Sequence, residues 1–298
     1  MREATWAQIG TDVREATTVD RVLKEAKLDY EVELRPVFME GGMRIPNSQV
    51  AVRTADNHPF GIVSDKYKLI QNRDAFDFVN YLSDEITFEK AGETANGMVY
   101  IIAKLPEKNI LGDSFTPHVI FRNGFSGGYT ISAAICPLRC IFQNQFNFAF
   151  KNTANTVNIR HLGNASGKLI EARATLKTSY AYMEELEVEA EKYATVHLSE
   201  RQIDIVLDKM FPLEDNATKM RESIVQREKS LFIEAYQSED NRNFRGSAWG
   251  LINAYTDYKT HVNRSRGDDH VRKLERKFIS TTIGQPMNKI IDVVEAVR

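Results

Sequence analysis

The chain has very little cysteine, no long apolar run and no glycine-rich phosphate loop. Each lack closes off a class of protein. Two cysteines in 298 residues cannot build a disulfide framework, and they fit a reducing compartment. No apolar run approaches the roughly 20 residues that a membrane span requires, and the opening stretch MREATWAQIG lacks the apolar centre of a secretion signal. The expected location is the cytoplasm, with no membrane partner. Catalytic signatures are missing too. There is no Gly-rich loop followed by Lys-Ser/Thr, no paired-histidine zinc motif and no Gly-x-Ser-x-Gly elbow. No cofactor and no enzyme class is therefore expected. The nearest glycine cluster, Gly124-Phe125-Ser126-Gly127-Gly128, reads as a hairpin turn.

What is present describes a folded protein. The chain is 42% hydrophobic and 27% charged, and its length suits one large domain or two ordinary ones. Val19, Val22, Leu23 and Ala26 recur at helical spacing, which predicts a helix over 11–27. The period then changes to two. Strands are expected at 30–35, 49–54, 60–63, 67–70 and 98–105, and as a hairpin at 119–125 and 129–135. Asn72 is expected to cap a helix whose apolar face holds Phe76, Val79, Tyr81 and Leu82. Beyond about residue 166 the strand pattern stops. Helices are expected at 167–196, 199–210, 216–238, 246–263, 269–282 and 285–297. The expected fold class is α+β, with an antiparallel β-rich region over 1–166, carrying a projecting hairpin, and a helical region over 167–298 packed on it.

Three titratable clusters could carry metal or contact chemistry. Cys136 and Cys140 in CPLRC, with His161, have no second ligand pair, so a buried structural pair is the simpler reading. Asp268-Asp269-His270 could serve a metal-dependent nuclease, although acids in a first helical turn also answer the helix dipole. Glu184, Glu185, Glu187, Glu189 and Glu191 scatter around a helix as a solvated face.

The informative stretch runs from Arg139 to Lys177. Arg139, Lys151, Arg160, Lys168, Arg173 and Lys177 stand against the single acid Glu171, an excess of five positive charges in a chain whose total is −2. His161 could add to it. Phe142, Phe146, Phe148 and Phe150 are interleaved with several asparagines. Cations that neutralise phosphates, beside rings that stack on bases, are the equipment of a single-stranded nucleic-acid groove. A second basic set, Arg53, Lys66, Lys68 and Arg73, flanks Tyr67, a further stacking candidate. Either set could also be ordinary charged surface.

Four ordered motifs carry a family resemblance. Gly61-Ile62-Val63-Ser64-Asp65-Lys66-Tyr67-Lys68 leads into Gln71-Asn72-Arg73-Asp74. Pro137-Leu138-Arg139 leads into Gln143-Asn144, and Ile159-Arg160-His161 follows. Gly246-Ser247-Ala248-Trp249-Gly250-Leu251-Ile252-Asn253-Ala254-Tyr255-Thr256-Asp257-Tyr258 with His261 closes the series. Together they resemble the phage/plasmid-like protein family built on bacterial domain of unknown function 932. The family's cysteine before Gln-Asn is replaced by Phe142, which counts against cysteine chemistry. The resemblance implies a phage, prophage or plasmid setting in a bacterial host. The expected layout is also analogous to that of single-strand annealing proteins, which form rings or helical filaments around single-stranded DNA. The leading expectation is a single-stranded DNA-binding, strand-annealing recombination protein acting as a homo-oligomer. The alternative is a mobile-element factor that binds a host defence or replication protein and no DNA.

Overall fold

The computed structural model describes residues 9–82, 86–139, 156–162, 178–258 and 288–298. The first half contains β1 (Thr11–Asp12), α1 (Val19–Glu25), β2 (Val32–Phe38), β3 (Arg44–Arg53), β4 (His58–Ser64) and α2 (Asn72–Phe76), which runs into a 3-10 turn (Asp77–Leu82). β5 (Thr87–Glu93), β6 (Met98–Lys104), β7 (Lys108–Ile110), β8 (Asp113–Gly124), β9 (Ile131–Arg139) and β10 (Thr156–Ile159) follow. The second half is helical: α3 (Thr178–Ala194), α4 (Glu200–Met210), α5 (Lys219–Tyr236), α6 (Ala248–Asp257) and α7 (Asn288–Glu295). The α+β class expected from the sequence is the one observed.

Among the described residues all strand pairings are antiparallel, and they form two sheets. The larger has seven strands in the order β1-β5-β6-β8-β9-β10, with β7 added on β8. The smaller has three, β2-β3-β4. The β8–β9 turn falls on the glycine cluster, and the β2–β3 hairpin projects to a tip at Met39–Met43. There Gly41 and Gly42 take φ of +100° and +82°, values that β-carbon-bearing residues rarely adopt.

Three local expectations are corrected. Residues 11–17 are not helical, because Thr11 and Asp12 pair with Ala91 and Lys90, and the helix starts only where the Thr18 side chain accepts from Arg21 N. Residues 67–70 form no strand. Lys68 N is given to His161 O, and Ile70 O accepts from the Asn123 side chain, so this backbone is satisfied outside any ladder. Asn72 does not cap α2. Gln71 holds that position without a side-chain cap bond, and Asn72 is buried at 1% exposure.

One continuous apolar core runs from Val13 through the inner face of the large sheet, with Val99, Ile101, Phe121 and Ala133, to Trp249 and Val294 in the helices. α6 is the centre of the helical part. Every residue from Ala248 to Thr256 is buried, and its Ser247 cap accepts from Gly250 N at 3.2 Å. A second, smaller cluster lies on the opposite face of the large sheet: Ile9, Tyr100, Ile102 and Ile120. On that face Glu89, the extra residue of a bulge in β5, meets His118 Nε2 at 2.8 Å.

The small sheet sits on the β8–β9 turn. Phe125 is fully buried, with its ring centroid 5.1 Å from that of Phe60 and 6.2 Å from that of Tyr30. Arg53 lies over Tyr30 at 4.8 Å and reaches Glu93 of the large sheet at 3.1 Å, so this member of the second basic set is already paired. Among the described residues no helix is long and apolar enough to cross a membrane.

The packing around α6 gives the first prediction. A β-carbon at Gly250 would collide with the carbonyl oxygen of Phe244, part of the backbone that precedes the helix. Gly250→Ala should therefore cost about 3 kcal/mol, a fall in Tm of roughly 6–12 °C in calorimetry for a chain of this size. An unchanged Tm would contradict the packing.

Candidate nucleic-acid interface

Beyond β4 the chain turns at Ser64-Asp65, with Tyr67 N donating to Ser64 O at 3.1 Å. Tyr67 then enters the junction between the two sheets. Its hydroxyl donates to Gly124 O at 3.3 Å, and its ring stacks on His161 with centroids 4.9 Å apart and planes 15° from parallel. The two segments also clasp through backbone. Lys68 N donates to His161 O at 2.8 Å, Lys68 O accepts from His161 Nδ1 at 3.1 Å, and Tyr67 bridges Leu162. Extended backbone alternates its side chains. With Tyr67 and His161 turned inward, Lys66 and Lys68 on one segment and Arg160 on the other are exposed. None of the three has an acidic partner among the described residues. The clasp thereby brings segments more than 90 residues apart in sequence side by side.

Burial sets the electrostatics. It pushes the Tyr67 phenol above its ordinary range, and it pushes the His161 imidazole below 6.5 against the opposing pull of the Lys68 carbonyl. Nδ1 carries the proton that Lys68 O accepts, while Nε2 has no partner among the described residues. His161 is therefore a neutral ring at neutral pH and adds no charge. At 7% and 3% exposure, Tyr67 and His161 have no free face for a base or phosphate. Their place is in the frame that holds the three cations.

The other expected contacts divide in two. Arg73 is exposed but paired to Asp20 at 2.9 Å, on the side of α2 next to α1. Arg139 closes β9 in register with Phe115. Phe142, Lys151, Lys168, Arg173 and Lys177 lie outside the described residues, as do Cys140 and Asp268-Asp269-His270. Among the described residues no group of three or more His, Cys, Asp or Glu could hold a metal ion.

Sequence patterns missed the polar lock behind this surface. The Gln71 amide pairs with Val32 in both directions: Nε2 donates to Val32 O at 2.7 Å, and Oε1 accepts from Val32 N at 3.0 Å. Asn72 Nδ2 donates to Leu28 O at 2.9 Å, and Asn72 Oδ1 accepts from Asn123 Nδ2 at 3.0 Å. Each buried amide in this relay would cost about 1–3 kcal/mol if its partner were removed. Arg122, beside Asn123 on β8, was also missed. It opposes Ser132 of β9, which opposes Asn158 of β10.

The domain of unknown function DUF932 matches residues 59–278, nearly three quarters of the chain. The chain belongs to the DUF932 family. No curated protein matches it, and no solved structure does. The DUF932 match begins inside β4 and crosses from strands into helices, so both halves fall within it. Several motif residues that resembled the family have structural work here. Gln71 and Asn72 lock the sheets, Ser247 caps α6, and Gly250 admits the Phe244 carbonyl.

His161 supplies a pH test. The unfolded chain takes up a proton as pH falls below about 6.5, while the folded chain, with its lowered value, resists. The contribution of His161 to stability is thus full above about pH 6.5 and is lost on acidification through the folded value. The stability advantage of wild type over His161→Gln, from urea unfolding, should shrink between about pH 7.5 and about pH 5. A pH-independent difference would contradict the buried neutral ring.

Proposed function

We propose that this DUF932 chain binds single-stranded DNA without a cofactor and promotes strand annealing in the recombination of a phage or plasmid, working as a homo-oligomeric ring or helical filament. The observation that carries the reading is the exposed set Lys66, Lys68 and Arg160, unpaired among the described residues and held together by the Tyr67–His161 stack. Three exposed cations flanking one clasp suit a phosphate backbone, whose binding is driven by counterion release and needs no base contact. Support also comes from the excess of five positive charges between Arg139 and Lys177. Annealing and assembly rest on layout alone: an antiparallel sheet with a projecting hairpin, followed by a long helix.

A second reading is favoured by a different observation. On α3, Glu184, Glu187 and Glu191 are exposed together with Val188 at 63%, and their spacing puts all four on one face rather than around the helix. The β2–β3 tip likewise exposes Phe38, Met39 and Met43 at 55–69%. These surfaces suit the alternative, a mobile-element factor that binds a host protein.

Charge reversal separates the two. Lys66→Glu, Lys68→Glu and Arg160→Glu combined should weaken binding of a labelled single-stranded oligonucleotide by ~10-fold or more at about 100 mM salt. The slope of log K against log salt should fall by about 2, near 0.7 per lost phosphate contact. Arg73→Glu, whose parent is already paired with Asp20, should change neither quantity much. Equal binding by the triple variant would remove this surface from the interface.

A further inference from the structure

One register row crosses four strands of the large sheet. Tyr100 of β6 opposes Arg122 of β8, Arg122 opposes Ser132 of β9, and Ser132 opposes Asn158 of β10. Directly opposed residues share a face, and this is the face of Tyr100, Ile102 and Ile120, away from the helical core. Burial varies along the row. Tyr100 and Ser132 are closed off, Arg122 is half-buried and Asn158 is exposed.

Arg122 is poorly answered for a withdrawn cation. Its Nε donates to Ser132 Oγ at 3.0 Å, and its Nη1 faces Met98 Sδ at 3.9 Å. A hydroxyl and a weakly accepting thioether leave most of the guanidinium's five donors unused, and no carboxylate stands against it among the described residues. A charge taken from water without a counter-ion is costly. Desolvation draws its pKa down to about 10, which still leaves it charged at neutral pH. The row also leads to the surface already described. Thr130 Oγ1 donates to Asn158 Oδ1 at 3.4 Å, and Arg160 follows Asn158 by two residues. Neighbouring strands lie about 4.8 Å apart, so Arg122 stands about 10 Å from Asn158 across two strands. A single strand with a phosphate about every 3.4 Å spans that gap in roughly three nucleotides.

We propose that Arg122 is a phosphate-binding residue, its unused guanidinium edge taking a phosphate group at the open end of the Arg122-Ser132-Asn158 row. For the source of that phosphate the site rests on the nucleic-acid reading: the backbone of a DNA strand reaches Arg122 from Arg160. Arginine suits this task because its planar fork meets phosphate oxygens in pairs, which lysine cannot do.

Two arms test the site on the full chain, comparing wild type with Arg122→Met and Arg122→Lys. In the first, thermal unfolding is followed in inorganic phosphate against chloride at matched ionic strength. In the second, a labelled oligo-dT is titrated across a salt series. Phosphate should raise the Tm of wild type and leave that of Arg122→Met unmoved. Oligo-dT affinity should fall ~10-fold in Arg122→Met and less in Arg122→Lys, with the salt slope of Arg122→Met lower by about 0.7. Phosphate stabilisation lost in Arg122→Met, with no oligo-dT binding by any form, would keep the site, assign it to free phosphate and overturn the nucleic-acid reading. Oligo-dT binding of equal strength and slope in all three forms, with equal responses to phosphate, would overturn the site and leave that reading standing. A wild type indifferent to both ligands would overturn both. Should Arg122→Met fail to fold, Arg122→Lys, which keeps the charge, carries both comparisons.

Discussion

A buried amide that loses its partner costs more than the pair contributes when made, and this constraint holds the two sheets of the protein together. Gln71 answers both polar groups of the Val32 backbone, Asn72 answers Leu28, and Asn123 on β8 answers Asn72 and Ile70. None of the three can move alone without stranding a polar group from water. The relay therefore fixes the segment between β4 and α2 against the end of β8. That placement decides where Tyr67 enters, and Tyr67 decides where His161 and Arg160 lie.

The candidate surface is thus a by-product of the lock. Two short extended segments, 66–68 and 160–162, meet by one backbone–backbone bond, one bond from a side chain to backbone and one ring stack. Their buried members, Tyr67 and His161, are neutral rings, and their exposed members are Lys66, Lys68, Arg160 and Leu162. Arg122 lies on the same end of the large sheet and carries charge inward from that surface. The DUF932 match covers all of these residues, which makes the junction a property to look for across the family.

The fold was legible in the sequence where period and turn chemistry agreed. The β8–β9 hairpin with its Ser-Gly-Gly turn, the buried run of β6 and the capped helices α4 and α5 all follow that rule. β5 and β10 were not legible. Thr87–Glu93 carries Glu89 and Lys90 in a bulged strand, and Thr156–Ile159 is too short for a pattern. Residues 67–70 misled in the opposite sense, since alternating side chains there reflect a clasp of two segments rather than a sheet. Of the candidate site, Lys66, Lys68 and Arg160 were legible as basic residues near aromatics. The inward turn of Tyr67 and His161 was not, because burial depends on partners in distant parts of the chain. Asn72 reads as a cap by residue type alone, and only the position of Asn123 on β8 makes it a lock.

The most direct measurement is fluorescence anisotropy of the purified protein with labelled single-stranded and duplex oligonucleotides of equal length across a salt series. The account predicts tighter binding of the single strand, with affinity falling steeply as salt rises. Absence of single-strand binding at low salt, or equal binding of both forms with no salt dependence, would contradict it.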